Sequence, residues 1–133
     1  MSLFVKKKKK ILVVDDSEMD LDLIEMILQD KYTILPTKSG KEVLDYLLQN
    51  NNVDLILLDL IMPEMDGWET FSRIKDLGLI SNIPIAFLTS THGTDEQSHA
   101  KKIGAADYIF KPYTREELLK RIEIILKKYP VRK

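Results

Sequence analysis

Four short apolar runs constrain the fold of this 133-residue chain more than any other feature of its sequence. None of them alternates polar and apolar residues, so a strand formed by any of them would be covered on both faces, which is typical of a parallel sheet. A weaker run at 32–35 lies between the first two and predicts a fifth strand. The four stronger runs are 11–14, 55–58, 85–88 and 108–110.

Amphipathic segments of helical period separate these runs, so the chain order is a strand and a helix repeated five times. Right-handed crossovers between the strands then predict an α/β fold, a doubly wound five-stranded parallel sheet with helices on both faces. Gly78 and Gly104 stand where a glycine is expected just after a helix. Three helices begin near a hydroxyl residue that has Glu or Gln three positions later, which predicts the N-caps Ser39, Thr94 and Thr114.

The predicted fourth helix, residues 94–103, is much more polar than the others. Only Ala100 and Ile103 are candidates for burial in it. Because such a helix gains little from packing, we expect it to be among the parts of the fold that move most easily.

Length and composition narrow the class of protein. The length favours one domain, which we place at 11–128, after a basic lead-in at 1–10 (with 1–3 as candidate expression residues) and before a tail at 129–133. No apolar run approaches a membrane span and there is no cysteine, so we expect a cytoplasmic protein with no membrane association. The net charge of -1 predicts no nucleic-acid partner, and the lysine run at 6–10 is expected to be a solvated segment.

Chemically active residues follow the predicted strands at the points where the strands end. Asp15 and Asp16 follow the first strand, Asp59 the third, Thr89 ends the fourth and Lys111 follows the fifth. Carboxyl ends of parallel strands lie on one edge of a sheet, where α/β folds bind ligands. Neighbouring strands are about 4.8 Å apart, so acids on adjacent strands are expected to meet there.

Three carboxylates that close repel one another strongly. A like pair about 4 Å apart costs on the order of 4 kcal/mol at an effective dielectric of about 20, so protons or a divalent cation must relieve the repulsion. Oxygen ligands without cysteine favour magnesium or manganese over zinc, and a hydroxyl and an amine beside them indicate a phosphoryl site. Each residue taken singly has an ordinary alternative as a cap, a turn residue or a solvated lysine, and only their coincidence favours the site.

At these residues the chain closely resembles the receiver domain of two-component response regulators. The resemblance covers nearly the whole chain, from Ile11 to about Leu126. Four separated motifs carry it in the family's order and spacing: the segments ILVVDD at 11–16, DLIMPEMDG at 59–67, LTS at 88–90 and DYIFKP at 107–112.

The resemblance implies the strand order 2-1-3-4-5 and a role for each residue of the site. Asp59 would be the phosphoryl acceptor. Asp16 would bind Mg²⁺ (or Mn²⁺) directly and Asp15 largely through water, and Asp59 and the backbone carbonyl of Ile61 would complete the protein ligands.

The same resemblance assigns the remaining residues of the site. Thr89 and Lys111 would contact the phosphoryl group. Thr89 and Tyr108 would form the switch, in which the aromatic ring turns inward as the threonine moves. The bond before Pro112 is expected to be cis, which an X–Pro bond tolerates at little cost.

The resemblance also implies the partners. A histidine kinase or a histidine phosphotransfer protein would supply the phosphoryl group, and the surface of the fourth helix, fifth strand and fifth helix would respond and contact a downstream protein. The receiver would catalyse its own phosphorylation and dephosphorylation and act on no separate substrate. A homodimer is one of the oligomeric states left open.

Two other functions remain as alternatives. One is a phosphate-independent interaction module of the same fold, which would not need the full set of acids, hydroxyl, lysine and aromatic residue. The other is a phosphohydrolase with an aspartyl nucleophile, which commonly carries a second acid two residues later, where this chain has Ile61.

Overall fold

The computed structural model describes residues 7–50, 52–78 and 83–129 of the chain. In these ranges a helix follows each of five strands. The strands are β1 (Lys9–Val14), β2 (Tyr32–Thr37), β3 (Leu55–Leu58), β4 (Ile85–Thr89) and β5 (Asp107–Phe110). The helices are α1 (Glu18–Leu28), α2 (Gly40–Gln49), α3 (Gly67–Asp76), α4 (Thr94–Lys102) and α5 (Arg115–Lys128).

The five strands form one parallel sheet in the order β2-β1-β3-β4-β5, which confirms the predicted fold class and strand order. Strand β1 begins before the apolar run, because Lys9 and Lys10 already pair with Tyr32 and Thr33 of β2. The other lead-in residues at 1–6 and the end of the predicted tail at 130–133 lie outside the described residues.

Apolar side chains cover both faces of the sheet. Helices α1 and α5 pack on one face, where Ile24 and Ile122 are fully buried. Helices α2, α3 and α4 pack on the other, where Val43 and Ile74 lie in the core. Each large apolar side chain buried this way stabilises the fold by roughly 1.5–3 kcal/mol relative to exposure. Because the two layers hold the central strands, the residues that follow those strands have fixed positions.

The helix N-termini agree with the sequence at two positions and differ at one. The side chains of Ser39 and Thr114 accept hydrogen bonds from the third residue of their helices, so these predicted caps are confirmed. The prediction for Thr94 is wrong, because Thr94 is the first residue of α4 and Gly93 is its N-cap. Gly93 has no side chain with which to cap the helix, and the carboxylate of Glu96 lies where its Cβ would be.

The ends of α3 and α4 and the burial of α4 follow the predictions. Gly78 and Gly104 adopt φ values of 67° and 95°, the left-handed conformation that ends a helix and favours glycine. Ala100 is the one fully buried side chain among the described residues of α4, and Ile103 just after it is half-buried. Within the residues that the model describes, no helix has both the length and the apolar character needed to cross a bilayer.

Candidate functional site

Backbone hydrogen bonds continue past the strand ends and fix two of the acids side by side. The amide of Asp15 donates to the carbonyl of Thr37 at 3.1 Å, and the amide of Asp59 donates to the carbonyl of Val14 at 2.9 Å. One oxygen each of Asp15, Asp16 and Asp59 lies within 4.8 Å of the other two. Asp15 and Asp59 are buried and Asp16 is exposed. The structure therefore brings the three predicted carboxylates together at the edge of the sheet.

The segment after Asp59 folds back tightly against its backbone. The amide of Gly67 donates to the carbonyl of Leu60 at 2.7 Å. A Cβ atom at Gly67 would lie 2.6 Å from Cα of Leu60 and would also overlap the carbonyl of Asp59. The side chain of Asp66 then caps α3 by accepting from the amide of Glu69. Only glycine fits at position 67, so this residue sets the path of the chain around the acid.

The electrostatic environment of Asp59 leaves its carboxyl easier to protonate than an ordinary aspartate. Burial raises the pKa of Asp59 from 3.8 to about 6, opposed by the positive charge of Lys111 and supported by repulsion from Asp15 and Asp16. The amide of Ile61 donates to Asp59 Oδ1 at 3.4 Å, and this hydrogen bond lowers the pKa of Asp59. At neutral pH the Asp59 carboxyl is thus ionised but poorly compensated.

Lys111 reaches the same cluster from the end of β5. Its Nζ atom donates to Oδ2 of Asp15 at 2.7 Å and to Oδ2 of Asp20 at 2.9 Å, whereas Oδ2 of Asp59 is 3.8 Å away. Burial alone would lower the pKa of Lys111, but the hydrogen bonds to Asp15 and Asp20 and the charge of Asp59 raise it above its ordinary value. Lys111 is therefore a permanent positive charge in the site.

Asp20 is a member of this cluster that the sequence motifs do not identify. It is the third residue of α1, and its amide donates to the capping side chain of Ser17. An acid in the first turn of a helix is normally explained by the helix dipole, so its spacing gives little signal. Its place in the first turn of the helix that follows Asp16 is the feature of the sequence that brings it near the site.

Thr89 and Tyr108 are linked through the backbone of Thr91. The hydroxyl oxygen of Thr89, which is fully buried, accepts a hydrogen bond from the amide of Thr91 at 3.2 Å. The hydroxyl of buried Tyr108 donates to the carbonyl of Thr91 at 2.9 Å. The Tyr108 ring is turned inward in this structure, where it lies edge-on to Phe110 with ring centroids 5.4 Å apart.

Two further residues of the predicted site lie on the adjacent loops. The peptide bond between Lys111 and Pro112 is cis. Ile61 has an apolar side chain that is 64% exposed, and the role of its carbonyl as a metal ligand stays a prediction.

The donor set fits a small hard cation. Oxygen ligands in a magnesium octahedron with bonds of about 2.0–2.1 Å lie roughly 3–4 Å from one another. The oxygens of Asp15, Asp16 and Asp59 lie within 4.8 Å of one another, which is close to that spacing. Magnesium keeps several waters when it binds, so not every carboxylate has to reach it directly. The exposure of Asp16 beside the two buried acids gives such waters access.

A comparison with protein families decides what kind of domain this is. The model of the response regulator receiver domain matches residues 11–123. The chain belongs to the response regulator receiver domain family. This confirms the resemblance inferred from the four motifs and, with it, a phosphoacceptor function in two-component signalling. As a receiver domain it belongs to a family of signalling modules rather than of independent enzymes.

Curated relatives carry this receiver domain within longer proteins. The uncharacterized transcriptional regulatory protein YrkP of Bacillus subtilis (strain 168) is 38% identical over 123 residues, which are 92% of this chain and 51% of YrkP. A probable cyclic di-GMP phosphodiesterase of Vibrio cholerae serotype O1 is 38% identical over 112 residues, which are 84% of this chain and 25% of that protein. The receiver thus spans a quarter to a half of these two relatives.

A solved receiver structure has the same fold. The chemotaxis protein CheY4 of Vibrio cholerae superposes with a TM-score of 0.84 at 29% sequence identity, covering 90% of this chain and all of CheY4. The agreement covers the sheet and helices that position the receiver's carboxylate cluster.

Proposed function

We propose that Asp59 is the residue that accepts the phosphoryl group. This assignment rests on the proximity of the Asp59 carboxylate to two other acids, within 4.8 Å, and to the Lys111 ammonium, at 3.8 Å, at the carboxyl edge of the sheet. The two buried acids differ in how many hydrogen bonds their carboxylates accept. Asp15 accepts from Lys111 and from the amide of Ser17, whereas Asp59 accepts only a long bond from the amide of Ile61 among the described residues. A carboxylate with few hydrogen-bond donors is the better nucleophile of the two.

The proposed reaction is an in-line displacement. A carboxylate oxygen of Asp59 attacks the phosphorus of a phosphohistidine, the bond between phosphorus and the imidazole nitrogen breaks, and the imidazole leaves with that electron pair. The product is an aspartyl phosphate. The Lys111 ammonium and the Thr89 hydroxyl would each contact a phosphoryl oxygen and stabilise the charge that spreads over these atoms. Acetyl phosphate would react in the same way, with acetate leaving.

Asp15, Asp16 and Asp59 would hold a magnesium or manganese ion, together with the carbonyl of Ile61. When bound, the ion supplies positive charge that offsets both the carboxylates and the phosphoryl oxygens. The close approach of three acids with one lysine supports this assignment, because one ammonium cannot neutralise three carboxylates.

A histidine kinase or a histidine phosphotransfer protein is the proposed donor. Support comes from α1, where Met19, Leu23 and Met26 are exposed by 79%, 45% and 63% at spacings of four and three residues. These side chains share one side of a helix that begins next to the acids. An exposed apolar strip beside the site is suited to a helical partner that presents a phosphohistidine.

The proposed output surface consists of α4, β5 and α5. Helix α4 buries little apolar surface, and Tyr108 of β5 is hydrogen-bonded to the loop that follows Thr89. A phosphoryl group that draws the Thr89 hydroxyl toward it would therefore act on the loop, on Tyr108 and on α4 together. The downstream protein would recognise that change.

Intact-mass spectrometry after incubation with acetyl phosphate and MgCl₂ tests the assignment. We expect one added phosphoryl group on the parent protein and none on Asp59→Asn. The matched control is Asp54→Asn, an acid before β3 whose side chain accepts from the amide of Lys10, and it should be labelled like the parent. Equal labelling of the parent and Asp59→Asn would place the acceptor elsewhere.

A further inference from the structure

Asp20 shares the Lys111 ammonium with Asp15. The Asp20 and Asp15 oxygens lie 2.9 Å and 2.7 Å from Nζ, both within hydrogen-bond range, whereas the Asp59 oxygen at 3.8 Å is beyond it. The Lys111 side chain is only 16% exposed, so these acids take the place of most of its water. In this arrangement the hydrogen bonds of the lysine go to Asp15 and Asp20, and Asp59 is held only at ion-pair distance.

The local role of Asp20 in its helix does not explain this contact. The N-terminus of α1 is already capped by Ser17, whose side chain accepts from the Asp20 amide. Neighbouring Glu18 pairs instead with Lys38, and Asp22 on the same helix is exposed. Asp20 is thus the acid of α1 whose carboxylate is hydrogen-bonded to the site lysine, across 91 residues of sequence.

We propose that Asp20 is a positioning residue that competes with the phosphoryl group for Lys111. The inference rests on the proposed function, in which Lys111 contacts a phosphoryl oxygen. An ammonium has three donors, and Asp15 and Asp20 use two of them in the unphosphorylated receiver. In this proposal Lys111 moves toward the phosphoryl group and lengthens its bond to Asp20, whose side chain is 38% exposed and can be resolvated.

Asp20 therefore stabilises the unphosphorylated state relative to the phosphorylated one. Removing its charge frees the ammonium and favours the phosphorylated state, because a ligand shifts an equilibrium by its differential affinity for the two states. A partly exposed ion pair is worth roughly 0.2–1 kcal/mol, which converts to about a 1.4- to 5-fold change in affinity.

The first measurement is a beryllofluoride titration in the presence of MgCl₂, with the fluorescence of Trp68 as the readout. Trp68 lines the same cleft as Ile61 and Thr91 and is the chain's one tryptophan. We expect Asp20→Asn to be half-saturated at a concentration about 1.4- to 5-fold lower than the parent. Asp22→Asn removes the same charge from the same helix and should match the parent. An unchanged or weaker affinity of Asp20→Asn overturns the proposal.

The second measurement tests the contact without any phosphoryl analogue. Urea unfolding in EDTA is compared for the parent, Asp20→Asn, Lys111→Met and the double variant. We expect Asp20→Asn to increase the unfolding equilibrium constant about 1.4- to 5-fold more in the parent than in the Lys111→Met background. Equal effects in both backgrounds overturn the proposal.

The two measurements separate the inference from the proposed function. If the parent fails to bind beryllofluoride while the unfolding cycle shows coupling, the Lys111–Asp20 contact stands, but the proposed function and the competition both fail. If the parent binds and the cycle shows no coupling, the proposed function stands and the role of Asp20 is wrong.

Discussion

The hydroxyl of Tyr108 donates a hydrogen bond to the backbone carbonyl of Thr91 at 2.9 Å. Because the amide of Thr91 donates to the Thr89 hydroxyl oxygen, one peptide segment joins the end of β4 to the aromatic residue of β5. A movement of the Thr89 hydroxyl either breaks its bond to the Thr91 amide or shifts the residue to which Tyr108 is bonded. This relationship is the physical basis of the proposed switch.

Hydrogen exchange should detect that coupling. We expect beryllofluoride with MgCl₂ to slow amide exchange across 94–128 in the parent, because the loop after β4 gains a second anchor on the phosphoryl mimic. Tyr108→Phe removes the hydroxyl and should reduce the effect, whereas Tyr46→Phe in α2 should leave it intact. Unchanged exchange across 94–128 in the parent would remove this surface from the switch.

The ionisation of Asp59 should destabilise the protein in the absence of metal. Its pKa is raised from 3.8 to about 6, so the folded state binds the proton more tightly and stability falls as the pH rises through this window. We expect Asp59→Asn to exceed the parent by about 1–3 kcal/mol in the free energy of unfolding at pH 7.5, and by much less at pH 4. Urea unfolding in EDTA at the two pH values measures both differences, and a less stable variant at pH 7.5 would contradict the account.

Addition of magnesium should reverse that destabilisation. At about ten times the dissociation constant, MgCl₂ should stabilise the parent by about 1.4 kcal/mol, since only the folded state assembles the three carboxylates. Thermal unfolding measures the gain, with NaCl of equal ionic strength as the control. Asp16→Asn should lose most of this stabilisation by MgCl₂. In the parent the stabilisation should fade below pH 6 as Asp59 takes up a proton. An equal gain in Asp16→Asn would show that magnesium acts elsewhere.

Gly67→Ala should disturb the site as well as the fold. The added Cβ would meet the backbone at Leu60 and Asp59, so we expect a loss of about 1–3 kcal/mol in unfolding free energy and a weaker stabilisation by MgCl₂. Gly104→Ala is the control. It has open space but a φ of 95°, so it should cost stability and leave the magnesium effect unchanged. Equal magnesium effects in the two variants would refute a role for Gly67 in positioning Asp59.

The family resemblance supplies the strand order, and the sequence pattern predicts the strands and the meeting of Asp15, Asp16, Asp59 and Lys111. It can do so because each of these residues follows a strand, and parallel strands bring their carboxyl ends to one edge. Such a prediction depends on topology and needs no knowledge of side-chain geometry.

Other features could not be predicted because they depend on tertiary contacts. Asp20 has a sufficient local explanation in the first turn of α1, so its bond to Lys111 becomes visible only when the loop after β5 is placed beside the start of that helix. Helix α4 begins one residue earlier than its capping-box spacing predicts, because the amide of Gln97 donates to the backbone carbonyl of Gly93 and not to the Thr94 side chain. The bond between Tyr108 and Thr91 depends on the path of a loop that no periodic pattern describes.

Chemical mapping of the phosphorylated residue would identify the phosphoryl acceptor itself. Borohydride reduces an acyl phosphate to an alcohol, so a phosphorylated aspartate becomes homoserine, which peptide mass spectrometry can locate. After treatment with acetyl phosphate and MgCl₂, the account predicts homoserine at position 59 and at no other aspartate. Homoserine at Asp15, Asp16 or Asp20, with Asp59 unmodified, would contradict it.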